Sequence, residues 1–490
     1  IMINFNQNQW LFINSLIELI IMNSVDLAFT SALEQAQLIR TKVISPLELV
    51  NFYLDRIQRL NPLLGCYFTV MADRALILAK TQTEQLFQIS DINNLPPFFG
   101  VPISIKDLNP VAGIACTYGS RALVDRIATY DDGVVSRIRQ AGFNILGKTA
   151  TSEIGSLPYT EPDGFPPARN PWNLDYTPGG SSGGAAAAVA AGLSPVAHGS
   201  DGGGSVRGPA FCCGLVGIKP TRGRVSHAPV GDFQSGISTD GPLARTVADA
   251  AALLDIMSGY ILGDPYWISD PNPSFLAATQ QPPKSLKIAI APSILPGSLL
   301  SPECEQALTN TVNLLEQLGH QIEPINPDFS DILEPFIAVW KSGVAAAGIP
   351  QEYLGSVNQW LMSSEITAGQ YLQAVSKMQV GGRQIVATLS PFDVVVLPTY
   401  THPAIRVGEY AQLSPPETLQ RITEWISPCP GFNVSGQPAI AIPTGFTPEG
   451  LPLGVQLVGK PASEATLIAL AAQLEAAQPF SHHRPPMAIG

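Results

Sequence analysis

The sequence predicts one large α/β layered domain, and three observations support this. Short apolar runs suited to buried strands recur along the chain, separated by amphipathic helical stretches. Neither an internal repeat nor a long low-complexity linker divides the chain. Charged residues make up 13 % of its 490 residues, well below the roughly 25 % of an average soluble protein. So few charges point to a deep core, an apolar pocket or a subunit interface, and leave room for a homodimer. Strands alternating with helices argue for a single layered architecture.

The elements follow in chain order. Trp10 to Met22 reads WLFINSLIELIIM, interrupted by Glu18. It is shorter than the roughly 20 apolar residues of a membrane span, so integral membrane insertion is not expected. Residues 1–9 carry no Lys or Arg, unlike a secretory signal. Residues 1–23 are therefore read as an N-terminal extension, with a membrane-surface anchor as the sharper alternative. The domain is placed at 24–490.

Residues 30–90 read as helical. Within them, Ser45-Pro46 before LELVNFYLDRI supplies an N-cap and a proline at the first helical position. Residues 100–106 and 143–147 read as strands. Gly179 to Gly184 leads into AAAAVAAG, a strong helix former. Further helices are expected at 246–257, 302–318 and 463–477, and strands at 286–291, 392–398 and 439–443. Residues 330–390 and 400–430 read as irregular, Pro-punctuated insertions over the sheet. Together with 153–160 and 225–238 they are the expected pocket walls.

Several functions are disfavoured. The net charge is −12 and no Lys/Arg cluster appears, so nucleic acid is not an expected partner. The six cysteines form no C-x-x-C pair and read as buried thiols in a reducing, cytoplasmic compartment. No H-E-x-x-H or dinucleotide fingerprint is present, so neither metal nor cofactor is expected.

Three segments carry the chemistry. Lys106 ends the apolar run GVPISIK, where desolvation would lower its pKa and free a neutral amine for general-base work. Most lysines after strands are simply solvated, so the segment is weak alone. Gly179-Gly180-Ser181-Ser182-Gly183-Gly184 suggests a tight turn presenting two hydroxyls. The competing readings are a flexible loop or a phosphate cradle, and the latter lacks the G-K-[ST] ending of a P-loop. Asp201-Gly202-Gly203-Gly204-Ser205 exposes successive backbone N–H groups that can converge on a developing oxyanion. The bland alternative is again a Gly-rich turn.

Together these segments resemble the amidase signature family. The matching stretches are GVPISIKD, TPGGSSGGAAAAVAAG, HGSDGGGSVRGPA and FCCGLVGIKPTRGRVS, in that order. Lys106 precedes Ser181 by 75 residues and Ser181 precedes Ser205 by 24, as in the family's catalytic set. STDGPLART, GFNVSGQPAIAIPTG and GLPLGVQLVG extend the resemblance to roughly residues 24–480. The nearest likeness is to stand-alone bacterial amidases resembling 6-aminohexanoate-cyclic-dimer hydrolases.

The resemblance implies a large mixed β-sheet covered by helices on both faces. It also implies hydrolysis of a small-molecule amide through an acyl-enzyme. Ser205 is then the nucleophile, Ser181 the relay after a cis peptide bond, and Lys106 the base. The N–H groups of Gly202, Gly203, Gly204 and Ser205 would form the oxyanion hole. Ser182, Asp201 and Arg207 would support the site. Ser182 rivals Ser181, and Lys148 rivals Lys106 but is read as a structural ion pair. Cys212, Cys213 and His198 are read as buried packing residues. A glutamyl-tRNA amidotransferase subunit is the alternative, disfavoured because it usually carries a non-glycine residue where Gly203 stands. A nucleotide-binding protein is the remote third reading.

Overall fold

The computed structural model describes residues 24–489, apart from Phe233 and Ser364. The N-terminal extension, with the Trp10–Met22 segment, lies outside the described residues. Among the described residues, eleven strands form one sheet. They are β1 (Tyr67–Val70), β2 (Pro102–Lys106), β3 (Asn144–Thr149), β4 (Val196–Asp201), β5 (Val216–Lys219) and β6 (Thr239–Ala244). The remainder are β7 (Lys287–Ile290), β8 (Gln321–Pro324), β9 (Val394–Pro398), β10 (Ala439–Phe446) and β11 (Pro452–Gly459). Their spatial order is β1-β3-β2-β4-β6-β5-β10-β11-β9-β7-β8. Strand β2 runs parallel to β3 and β4, and β7 runs parallel to β8 and β9. The other pairs are antiparallel, so the sheet is mixed.

Both faces are buried, as continuous apolar strands demand. Along β9, Val394 and Val396 belong to a buried cluster with Leu308 and Leu315 of the helix Pro302–Gln317 and Leu467 and Ile468 of the helix Glu464–Ala477. Val395 and Leu397, on the opposite face, belong to a second cluster with Val339, Met378 and Ile385. These come from the helices Leu333–Ala346 and Ala368–Leu389. The sheet is therefore sandwiched between helical layers, as expected.

Local signals explain several ends. The helix Pro46–Leu64 starts with a capping box in which Ser45 and Glu48 satisfy each other's backbone N–H. It ends at Gly65 in the left-handed region, φ 58°. Two expectations need correction. The 30–90 stretch is not wholly helical, because β1 crosses it and pairs with β3. Residues 330–390 are not irregular but carry the helices Leu333–Ala346, Ser356–Ser363 and Ala368–Leu389. Pro335 sits in a first turn, where the missing N–H breaks no bond. Pro415 likewise opens the helix Pro415–Ile426 after Ser414. Prolines that looked like breaks are helix starts.

The parallel neighbours β2 and β4 set up the site. Ser104 pairs with Ala197 and Ile105 with His198. The last residue of β2, Lys106, and the end of β4 therefore emerge side by side at the carboxyl edge, where α/β sheets bind ligands. Among the described residues, no helix is long and apolar enough to cross a membrane.

Candidate active site

Lys106 is wholly buried. Its Nζ shares a 2.7 Å hydrogen bond with Ser181 Oγ. It also donates to Ser200 O at 3.2 Å and Ser200 Oγ at 3.0 Å. A neutral amine has two N–H donors and one lone pair. In the neutral form the two Ser200 oxygens can take both donors, which leaves the lone pair for the Ser181 hydroxyl. Burial lowers the lysine pKa to about 7, with Asp240 and Asp201 pulling weakly the other way. The desolvation expected from the sequence is thus present, and a large share of Lys106 is uncharged near neutrality.

The two Gly/Ser segments are stitched together. The Gly180–Ser181 peptide is cis. Ser182 donates its N–H to Ser205 O at 3.3 Å, and its Oγ donates to Ser200 O at 3.2 Å. Ser200 N–H in turn donates to Ser182 Oγ. Ser182 therefore ties the end of β4 to the turn carrying Ser181, while Lys106 bonds Ser181 rather than Ser182. A side chain at Gly180 would collide with the Leu157–Tyr159 backbone, 2.7 Å from Leu157 O. Ser181 and Ser205 line one cavity of about 320 Å³. No hydrogen bond joins their hydroxyls here, and such bonds commonly tighten only around substrate.

The glycine run before Ser205 is held by Asp201. Its carboxylate accepts from the N–H of Gly204 (2.8 Å), Val206 (3.1 Å) and Arg207 (3.3 Å). The Arg207 guanidinium grips both carboxylate oxygens, at 2.9 Å and 3.0 Å. Burial alone would raise Asp201; Arg207 outweighs it and holds the carboxyl well below the usual range. The sequence expectation places Gly204 among the oxyanion donors, and this needs correction, because that N–H is spent on Asp201. Among the described residues, the N–H groups of Gly202, Gly203 and Ser205 meet no acceptor within the chain. Gly204 has φ 126° and lies against Cys429, so only glycine fits there.

Several partners were not legible in the sequence. Ser200 orients Lys106, yet nothing local marks it. Asn433 and Gln456 complete the Arg207 cage, accepting from it at 2.6 Å and 3.0 Å. They lie more than 200 residues away in the chain, so only the tertiary fold reveals them. Asp240 arrives through the register of β6, opposite Ser200.

The rival groups sit elsewhere. Lys148 pairs with Asp107 at 2.6 Å, both wholly buried. Cys212 and Cys213 are buried, and desolvation pushes both thiols far up. His198 is buried with Nε2 3.2 Å from Asp240 Oδ1.

Two cavities meet at Ser205. The larger one runs past Ser181 toward Asn109, Asp132, His227 and Asp240. The smaller, about 60 Å³, is walled by Leu333, Phe336, Trp340, Leu361, Tyr400 and Ile422 and reaches Gly203 and Ser205. Trp340 lines both, and its helix lies over Gly202 and Gly203. The stretches expected as pocket walls supply much of both linings.

Residues 48–468 match the family model described as Amidase. The chain is 54 % identical over 450 residues to a putative amidase of Synechocystis sp., covering 92 % of this chain and 89 % of that one. It is 34 % identical to a 6-aminohexanoate-cyclic-dimer hydrolase of Paenarthrobacter ureafaciens, covering 95 % and 98 %. A solved structure of a 6-aminohexanoate cyclic dimer hydrolase superposes with a TM-score of 0.87 at 31 % identity, covering 94 % and 99 %.

Proposed function

The chain belongs to the amidase signature family and hydrolyses amide bonds, and from that premise we propose that it does so by a Ser–Ser–Lys relay through an acyl-enzyme. Neutral Lys106 accepts the proton of Ser181, and Ser181 accepts that of Ser205. The Ser205 oxygen bonds to the amide carbon. The carbonyl oxygen becomes an anion held by the N–H groups of Gly202, Gly203 and Ser205. The relay then returns its proton to the amide nitrogen. The C–N bond breaks, and the amine leaves with the acyl group on Ser205. A water uses the same relay to attack the ester, releasing the acid and restoring Ser205. The substrates proposed are small non-peptide amides, for which a cavity of about 320 Å³ is well sized.

One observation carries this reading: a wholly buried lysine whose Nζ lies within hydrogen-bond distance of Ser181 Oγ and of both Ser200 oxygens, with no carboxylate among these partners. Replacement of Ser205 by Ala tests it. Hydrolysis of an aryl anilide should fall by about 10³-fold or more, as for loss of a nucleophile, and a fluorophosphonate should no longer label the protein. An active variant would remove Ser205 as the nucleophile.

A further inference from the structure

Beyond Ser181, the larger cavity narrows onto a group the relay does not use. Asp132 and Asp240 line it together with Asn109 and His227. Asn109 Nδ2 donates to Asp132 Oδ2 at 2.9 Å and lies 3.4 Å from both Asp240 oxygens. His198 Nε2 is 3.2 Å and His227 Nδ1 4.0 Å from the Asp240 carboxylate. Asp240 therefore has two imidazoles and an amide beside it.

Asp132 is only 5 % exposed, and its Oδ1 is buried without any hydrogen-bond partner. Asp132 is also the N-cap of the helix Gly133–Gln140, but its side chain caps no N–H. An N-cap Asp normally spends its carboxylate on the first-turn amides. This one lines the cavity instead. A buried carboxylate oxygen without a donor is costly, and a ligand that supplies one recovers that cost. Among the described residues, the basic groups lining this space are His227 and Arg126, with Lys106 behind Ser181. Lys106 is committed to the serines, and His227 to Ser238 O and Asp240. Arg126 stays at the exposed mouth, over the Tyr118 ring.

The direction of the reaction says which half of the substrate arrives here. Ser181 lines this cavity and not the apolar one. The relay protonates the departing nitrogen, so the leaving amine lies on the Ser181 side. The acyl group then enters the apolar pocket beside Phe336 and Trp340. Building on the amide-hydrolase reading, we infer that Asp132 binds a second, cationic amino group on the leaving amine, so the preferred substrates are N-acylated diamines with an apolar acyl group. Burial and the neighbouring Asp240 push the Asp132 carboxyl up to about 7. An ammonium at Oδ1 would supply a countercharge in direct contact, where His227 acts only through its field.

The test uses two amides of pentanoic acid at pH 8, one with 1,4-diaminobutane and one with pentylamine. They differ only in an ammonium against a methyl group. The purified protein should favour the ammonium compound by about ten-fold or more in kcat/KM, mainly through KM, the worth of one charged hydrogen bond. Asp132→Asn should bring the ratio close to one. An unselective parent enzyme, or a preference surviving in Asp132→Asn, overturns the inference. Should that variant fail to fold, calorimetry on Ser205→Ala decides: its Kd for the ammonium amide should be about ten-fold lower. Equal Kd values, or no binding of either amide, also overturn it. Hydrolysis persisting in Ser205→Ala would sink the nucleophile assignment while leaving this binding preference intact. An inactive Ser205→Ala without the preference would sink the subsite alone.

Discussion

At the scale of single residues, two buried lysines separate function from structure. Lys106 and Lys148 both follow short apolar strands, and a local reading treats them alike. Their partners differ. Lys106 meets hydroxyls and a carbonyl, none of which can neutralise it, and its pKa falls to about 7. Lys148 meets the Asp107 carboxylate at 2.6 Å. The neutral form of Lys106 is the working base, so kcat/KM should rise with pH through about 7 and level off above. Lys106→Ala should fold, yet lose about 10²- to 10⁴-fold in rate, the usual share of a general base. Lys148→Ala should instead lose about 3–5 kcal/mol of stability, because it removes the ion-pair partner of the buried Asp107 carboxylate, which then keeps only the Thr117 donors. A pH–rate profile with thermal melts of both variants checks this. A profile flat between pH 6 and 9, or equal rate losses per folded molecule, would undo the assignment.

At the scale of elements, the site depends on how closely the helix Gly183–Ala190 rests on its neighbours. Gly184 has no room for a Cβ, which would lie 2.6 Å from both Ala150 O and Cys66 O. The Ser181 turn is held at depth by that close approach. Gly184→Ala should lower stability by about 1–3 kcal/mol, as overpacked cores do, and should reduce kcat by moving Ser181. A melt and kcat equal to those of the parent would show that the contact is not needed. This close approach explains what was legible. Lys106, Ser181 and Ser205 stand in glycine-rich or strand-end stretches whose local chemistry is distinctive, and a linear motif shows them. The Arg207 cage depends on Asn433 and Gln456, and Lys106 on Ser200. Those partners arrive through strand pairing and long-range packing, which leave no mark in a local window. The helices Leu333–Ala346 and Pro415–Ile426 were obscured because proline at a helix start and proline in a loop read alike.

At the scale of the whole molecule, the low charge content has a thermodynamic consequence: the few charges are buried unusually often. Lys219 is wholly buried beside Arg207, with Nζ donating to Pro220 O at 2.9 Å. Burial first, then Arg207, lowers its pKa to about 7. In the unfolded chain a lysine titrates near 10.5. Between pH 7 and 10.5 the unfolded state therefore binds a proton that the folded state does not, so stability gains from Lys219 as pH rises through that window. Lys106 adds a term of the same sign. The buried thiols act oppositely: desolvation pushes Cys304 and Cys429 up to about 12. Above about pH 9 the unfolded chain loses thiol protons that the folded chain keeps, and stability falls again. Lys219→Met isolates one term from this sum. Relative to the parent, it should be most stable near pH 7, and the difference should shrink steadily toward pH 10. Urea unfolding of both proteins at pH 7, 8, 9 and 10 measures it. A difference that stays constant with pH would mean that Lys219 keeps its proton on folding, and that the interior around Asp201 tolerates more positive charge than its burial implies.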